Sequence, residues 1–172
     1  MVSIVNPRPA PTVATVSEWP RLDTLRGKSV ALLNNRKLNS PVLLAELARV
    51  LVEDEGVSHV EHFDKESWTR AVPDETIDQL AEFDAVITGV GDCGSCSSGT
   101  LMDVIVLERR GIPTAAICSE PFRGTVSTLA EGLGMPDARL VFVAHPFGSL
   151  PADAVKTLAL KHRDEILSII RN

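Results

Sequence analysis

Cys93-Gly94-Ser95-Cys96 stands between an apolar run, Ala85 to Gly91, and a helical stretch that Ser97-Ser98-Gly99 opens and Thr100 to Arg110 continues. The spacing puts two thiols at the turn from a strand into a helix. Free backbone N–H groups and the positive end of the helix dipole favour thiolate over thiol there. A thiolate attacks electrophiles, and a second thiol in reach releases the adduct as a disulfide, so the turn is suited to nucleophilic or reductive chemistry. The same spacing also serves as half of a zinc site. Gly91, Gly94 and Gly99 suggest a backbone that turns sharply or approaches a ligand closely, and Ser95, Ser97 and Ser98 are poor core material.

Other residues of chemical interest fall at the ends of apolar runs. His145 precedes Pro146 after the last run and is the candidate proton donor. Lys37 and Asn39 follow the first run and are the candidate clamp for an anionic substrate. Asp92, beside Cys93, would raise the thiol pKa if its charge pointed inward, so it is expected to cap the helix or act as an acid. Cys118 and Glu120 end the fourth run and, with Gly94 and Ser95, complete the expected substrate-binding set. Cys118 is equally readable as an inert buried cysteine. His59, His62 and His162 lie on outer segments and are expected to be solvated.

The elements that must position these groups alternate short β-branched runs with amphipathic stretches. Strands are expected at 29–34, 58–63, 85–90, 114–118 and 140–144. Helices are expected at 41–55 (with Ser40 as N-cap and Pro41 first), 73–83, from the cysteine turn to 110, at 122–132 and at 152–170. The pattern is an α/β fold: a three-layer, doubly wound, mainly parallel five-stranded sheet of flavodoxin or Rossmann type. Residues 1–27, with Pro7, Pro9, Pro11 and Pro20, read as an extended arm that wraps its own core or a neighbour, and 28–172 as one domain. In such sheets ligands bind beyond the carboxyl ends of the strands, where strand order reverses, between the first and third strands of the flavodoxin order.

Composition narrows the partners. The chain has 172 residues, 44% of them hydrophobic, and a net charge of −6 without a basic run, which argues against nucleic acid and an anionic membrane surface. No signal-like start and no apolar run near the ~20 residues of a membrane span are present, so a cytosolic location is expected. Three cysteines do not make a disulfide scaffold. Gly89-x-Gly91 lacks the third glycine and the ribose-binding acid of a dinucleotide site, and no phosphate-binding loop occurs; no cofactor is expected.

Cys93-Gly94-Ser95-Cys96, Gly111-Ile112-Pro113, the run ending in Cys118, and Ala144-His145-Pro146-Phe147-Gly148 together resemble the family of selenoproteins and cysteine homologues named for a selenocysteine-Gly-Ser-Cys (UGSC) motif. Asn6-Pro7, Leu25-x-Gly27-Lys28 and Ala31-Leu32-Leu33-Asn34-Asn35-x-Lys37-x-Asn39 extend the likeness over most of the chain. Residues 85–148 are more distantly similar to the selenoprotein B subunit of the glycine, sarcosine and betaine reductases. The resemblance implies that Cys93 stands in the selenocysteine position and Cys96 in that of the second thiol. Sulfur is the weaker nucleophile and poorer leaving group, so a slower or different reaction is implied.

The expected function is that of a thiol-dependent enzyme acting on a small, anionic substrate through Cys93, Cys96 and His145. A thioredoxin-like dithiol would regenerate it if the reaction is a net reduction; transfer or hydrolysis without redox change is equally open. Two other readings stand beside it: a zinc or copper(I) site made by Cys93, Cys96, Cys118 and His145, or a noncatalytic subunit of a larger complex. A homo- or hetero-oligomer is expected from the fold class and the arm.

Overall fold

The computed structural model describes residues 20–172. Five strands, β1 (Ser29–Asn34), β2 (His59–Asp64), β3 (Ala85–Gly91), β4 (Thr114–Ser119) and β5 (Leu140–Val143), form one sheet in the order β2-β1-β3-β4-β5. All neighbours are parallel. Six helices cover it: α1 (Ser40–Glu53), α2 (Asp74–Leu80), α3 (Gly94–Arg109), α4 (Arg123–Gly132), α5 (Ala152–Lys161) and α6 (Arg163–Ile170). This is the expected doubly wound α/β sheet, and its strand order reverses between β1 and β3.

Alternation along β1 and β3 decides which layer each helix joins. Val30, Leu32, Ala85 and Ile87 face α1, α5 and α6, whereas Ala31, Leu33 and Val86 face α2 and α3. Every residue of β3 and β4 is buried, as a sheet covered on both faces requires. A third cluster joins Leu101 and Ile105 of α3 to Cys118 and to Val126 and Ala130 of α4.

Several boundaries move, each for a local reason. Asn39, in the left-handed conformation at φ 68°, precedes α1, and Ser40 is its first residue rather than its cap. The Ser40 hydroxyl donates instead to Gly89 O at 2.6 Å. The expected closing helix over 152–170 is two helices that meet at His162, whose Nδ1 lies 3.0 Å from the Glu165 carboxylate. The break lets α5 pack on α1 while α6 packs on β4 and β5. His162 is accordingly half-buried rather than solvated. Most of the expected arm lies outside the described residues. Its described end belongs to the core: Leu25 is 1% exposed, Leu22 bridges Arg171, and Arg21 donates to carbonyls of α6.

The far end of α3 holds a buried carboxyl. Glu108 Oε1 accepts the Thr114 N–H at 2.7 Å, while Oε2 has no hydrogen-bond partner among the described residues. Burial pushes its pKa from the ordinary 4.5 up to about 8, against the opposing effects of the Thr114 bond and the Arg21 charge. A raised folded-state pKa gives stability that is fully present below the unfolded value and lost as pH rises through about 8. Urea unfolding of the wild type at rising pH is therefore expected to show a loss on the order of 3 kcal/mol that Glu108→Gln does not show. Parallel pH curves for the two proteins would refute the assignment.

Candidate active site

β3 and β4 are out of step at their carboxyl ends. Gly89 pairs with Ile117 and Gly91 with Cys118, so β3 carries one extra residue, and the Gly89–Val90 peptide within it is cis. Such a bulge re-aims the residues that follow, here Asp92 and Cys93. Gly91 has no room for a side chain: a Cβ would lie 2.7 Å from both the Cys118 sulfur and the Ser97 Cα. The start of α3 therefore rests directly on strand backbone.

Cys93 is the N-cap of α3. Its backbone is extended, its sulfur accepts the Cys96 N–H at 3.2 Å, and the Ser95 hydroxyl is 3.6 Å away. Cys93 and Cys96 are disulfide-bonded, with Cα atoms 5.2 Å apart. Cys93 is partly exposed and Cys96 is fully buried, so only the first sulfur meets solvent. Gly94 and Ser95 are exposed.

Asp92 does not cap the helix, the position Cys93 occupies. Its carboxylate turns toward β4 and β5 and gathers four donors. The Ser119 hydroxyl donates to Oδ1, which also takes Phe147 N–H at 3.2 Å and His145 Nδ1 at 2.9 Å; Gly148 N–H donates to Oδ2 at 2.9 Å. Burial opposes the charge, but the donors outweigh it and hold the Asp92 pKa below the usual carboxylate value. An ionised carboxylate only accepts, so the proton of neutral His145 sits on Nδ1 and leaves Nε2 free to take one. The imidazole is partly exposed and meets the edge of Phe122 at 5.7 Å between ring centroids. His145–Pro146 is cis.

The remaining expected residues divide. Lys37 is half-buried and makes no side-chain hydrogen bond or ion pair among the described residues. Asn39 is not free to clamp a substrate through its NH₂ group, which donates to the carbonyls of Phe147, Gly148 and Leu150 at 3.1, 3.2 and 2.9 Å. It ties the β1 exit to the loop that carries His145. Glu120 is an exposed carboxylate paired with Arg123, which lowers its pKa, and Arg123 in turn lies over the Phe142 ring.

Cys118 is sealed beneath α3 at 0% exposure, and burial pushes its thiol up to about 12. It lines no open site. Among the described residues no group of three or more His, Cys, Asp or Glu side chains is placed to hold a metal ion, so the four-ligand set is not assembled. The glycines also serve a different end: Gly91 and Gly99 make room for protein atoms, Gly99 for Trp68 O, and Gly94 has open space around it.

Sequence reasoning missed the groups that organise this rim: Ser119, the Phe147 and Gly148 amides, and Asn35. The fully buried Asn35 amide donates to Val90 O at 2.7 Å and to the Thr100 hydroxyl, tying β1 to β3 and α3. A small polar residue ending an apolar strand, as Ser119 does, was the available sign. With this geometry in place, a protein-family model described as the UGSC family matches residues 3–172. No curated protein matches the chain.

Proposed function

This chain belongs to the UGSC family, and from that premise we propose that it is a thiol-dependent enzyme whose Cys93 attacks a small electrophilic substrate and whose Cys96 resolves the adduct. The observation that supports the reading best is the bonded Cys93–Cys96 pair at the start of α3, next in sequence to the carboxylate that orients His145.

In the reductive form of this reading, Cys93 thiolate displaces a leaving group from the substrate and forms a sulfur–substrate bond. Cys96, as thiolate, attacks the Cys93 sulfur, closes the disulfide and expels the substrate fragment with the bonding electron pair. His145 Nε2, first protonated from solvent at the partly exposed face of its ring, supplies the proton that the fragment takes up. The substrate gains two electrons, and a thioredoxin-like dithiol returns them by exchange with the disulfide. Lys37 stands on the same rim as a cation for a substrate anion.

The Cys96 N–H on the Cys93 sulfur and the helix start favour the thiolate once the pair is reduced. Reduced protein treated with iodoacetamide at stepped pH and mapped by peptide mass is expected to label Cys93 well below the ~8.5 of a free thiol. Cys118 is expected to stay unlabelled until the protein unfolds, and mild oxidant to restore a reversible Cys93–Cys96 bond. Labelling of Cys93 only above the free-thiol pKa, with no such bond, would overturn the proposal.

A further inference from the structure

The Phe147–Gly148 peptide, in the loop between β5 and α5, is held at both ends. Its N–H, on Gly148, donates to Asp92 Oδ2 at 2.9 Å, and its C=O, on Phe147, accepts the Asn39 NH₂ group at 3.1 Å. The carbonyl and N–H of a trans peptide point in opposite directions, so a donor on one side and an acceptor on the other fix the rotation of the plane between them. Asn39 and Asp92 are that donor and that acceptor.

The same NH₂ group also donates to Gly148 O at 3.2 Å and to Leu150 O at 2.9 Å. The Leu150 N–H shares Phe147 O, at 3.2 Å, but it belongs to the loop and turns with it. Among the described residues, Asn39 supplies the donor that reaches this carbonyl from another element.

The position of Asn39 is itself set by β3. Ser40 Oγ donates to Gly89 O at 2.6 Å and Asn35 Nδ2 to Val90 O at 2.7 Å, so both ends of the 35–40 segment are tied to the bulged end of that strand. Asn39 stands at φ 68°, a left-handed conformation that asparagine adopts more readily than most residues. The bonds form a closed circuit. It runs from Gly89 through Ser40 and Asn39 to the Phe147–Gly148 peptide, on to Asp92, and back along β3 to Gly89.

Asp92 passes the constraint on. With Oδ2 fixed by Gly148, Oδ1 is presented to His145 Nδ1 at 2.9 Å, and the tautomer that leaves Nε2 open follows from that bond. Hydrogen bonds in series polarise one another, so a donor on Phe147 O strengthens the Gly148 N–H as a donor to Asp92. The arrangement has little slack: a Cβ at position 148 would lie 3.3 Å from Asp92 Oδ2.

We propose that Asn39 is a positioning residue for His145. Its amide orients the Phe147–Gly148 peptide, the peptide orients the Asp92 carboxylate, and the carboxylate selects the imidazole tautomer. The use of that tautomer rests on the proton transfer proposed for His145, while the tautomer itself is readable without any turnover.

The test is long-range proton–nitrogen correlation NMR of the histidine rings in the full-length protein, above neutral pH, with His145 identified as the signal lost in His145→Gln. The wild type is expected to hold the His145 proton on Nδ1. Asn39→Gly keeps the left-handed backbone, removes the amide, and is expected to move the tautomer ratio toward Nε2–H by about fivefold or more. Asn39→Asp, equal in size and at home in the same backbone conformation, sets acceptors against three carbonyls and is expected to move it the same way, so either variant gives the answer. Val50→Ala, a core change on α1 outside the circuit, is expected to lower the melting temperature and leave the His145 ratio unchanged. A wild-type proton on Nε2, an unchanged ratio in the Asn39 variants, or an equal change in Val50→Ala would overturn the role. Cys93 labelling tests the thiol reading separately, because no cysteine takes part in the circuit.

Discussion

On the proposed two-thiol reaction, Cys96→Ser is expected to stop turnover at the covalent stage. With glutathione disulfide as probe, the Cys93 thiolate takes one glutathionyl sulfur and expels the other half as thiolate. In the wild type Cys96 then displaces the second half, leaving the intramolecular disulfide and two reduced glutathiones. The serine variant lacks that second thiolate, so its intact mass is expected to rise by one glutathionyl group and stay there. Cys93→Ser is expected to lose the reaction by about a hundredfold or more, because the surviving thiol at 96 is fully buried and cannot be approached. Release of the adduct by Cys96→Ser at the wild-type rate, or an unaffected Cys93→Ser, would end the two-thiol mechanism.

Asp92→Ala is expected to damage both the fold and the chemistry of the rim. It leaves the Phe147 and Gly148 amides, the Ser119 hydroxyl and His145 Nδ1 without their common acceptor. Bonds to a charged acceptor and the stranding of partly buried donors make a cost of about 3 kcal/mol or more. Asp92→Asn separates the two effects: it keeps the shape but brings an NH₂ group where only acceptors fit, and it frees the imidazole to change tautomer. Activity that depends on the His145 tautomer is then expected to fall in the asparagine variant while the fold is retained. The sign of the stability effect is fixed by the lowered Asp92 pKa. The contribution is present above the ordinary carboxylate value and lost as pH falls through the folded one. Chemical denaturation of wild type and Asp92→Ala across acid pH checks this, since the gap between them should close toward low pH.

The sheet was legible because its information is local. Runs such as 85–91, apolar at every position, admit few readings besides a covered strand, and the order of elements leaves few topologies. The cysteine turn was legible for the same reason: two thiols, a strand before and a helix after lie within one short segment. What the site does with Asp92 was not. The donors that fix it come from Ser119, His145, Phe147 and Gly148, on two other strands' exits. Nothing in the immediate neighbourhood of position 92 distinguishes a helix cap from an acceptor for distant amides. Asn39 misled in the same way. An amide at the end of a strand suits a substrate as well as three carbonyls of a distant loop, and only the fold brings residues 147–150 to it. The division of the last helix at His162 was hidden because helical periodicity continues across it. The change of direction is set by what lies beneath each half, α1 for one and the sheet for the other.

α3 is fastened at four heights: at Cys93 and Cys96, at Gly99 against Trp68, at Asp103 through Lys65 and Val72, and at Glu108 through Thr114. A rod gripped along its length cannot tilt in answer to events at its tip. Making or breaking the sulfur–sulfur bond is therefore a short-range event, absorbed by the exposed residues Gly94 and Ser95 and by the rotation of one partly exposed sulfur. Under the proposed thiol chemistry, a docking partner would meet almost the same body in either oxidation state and would read the difference from a single turn of backbone.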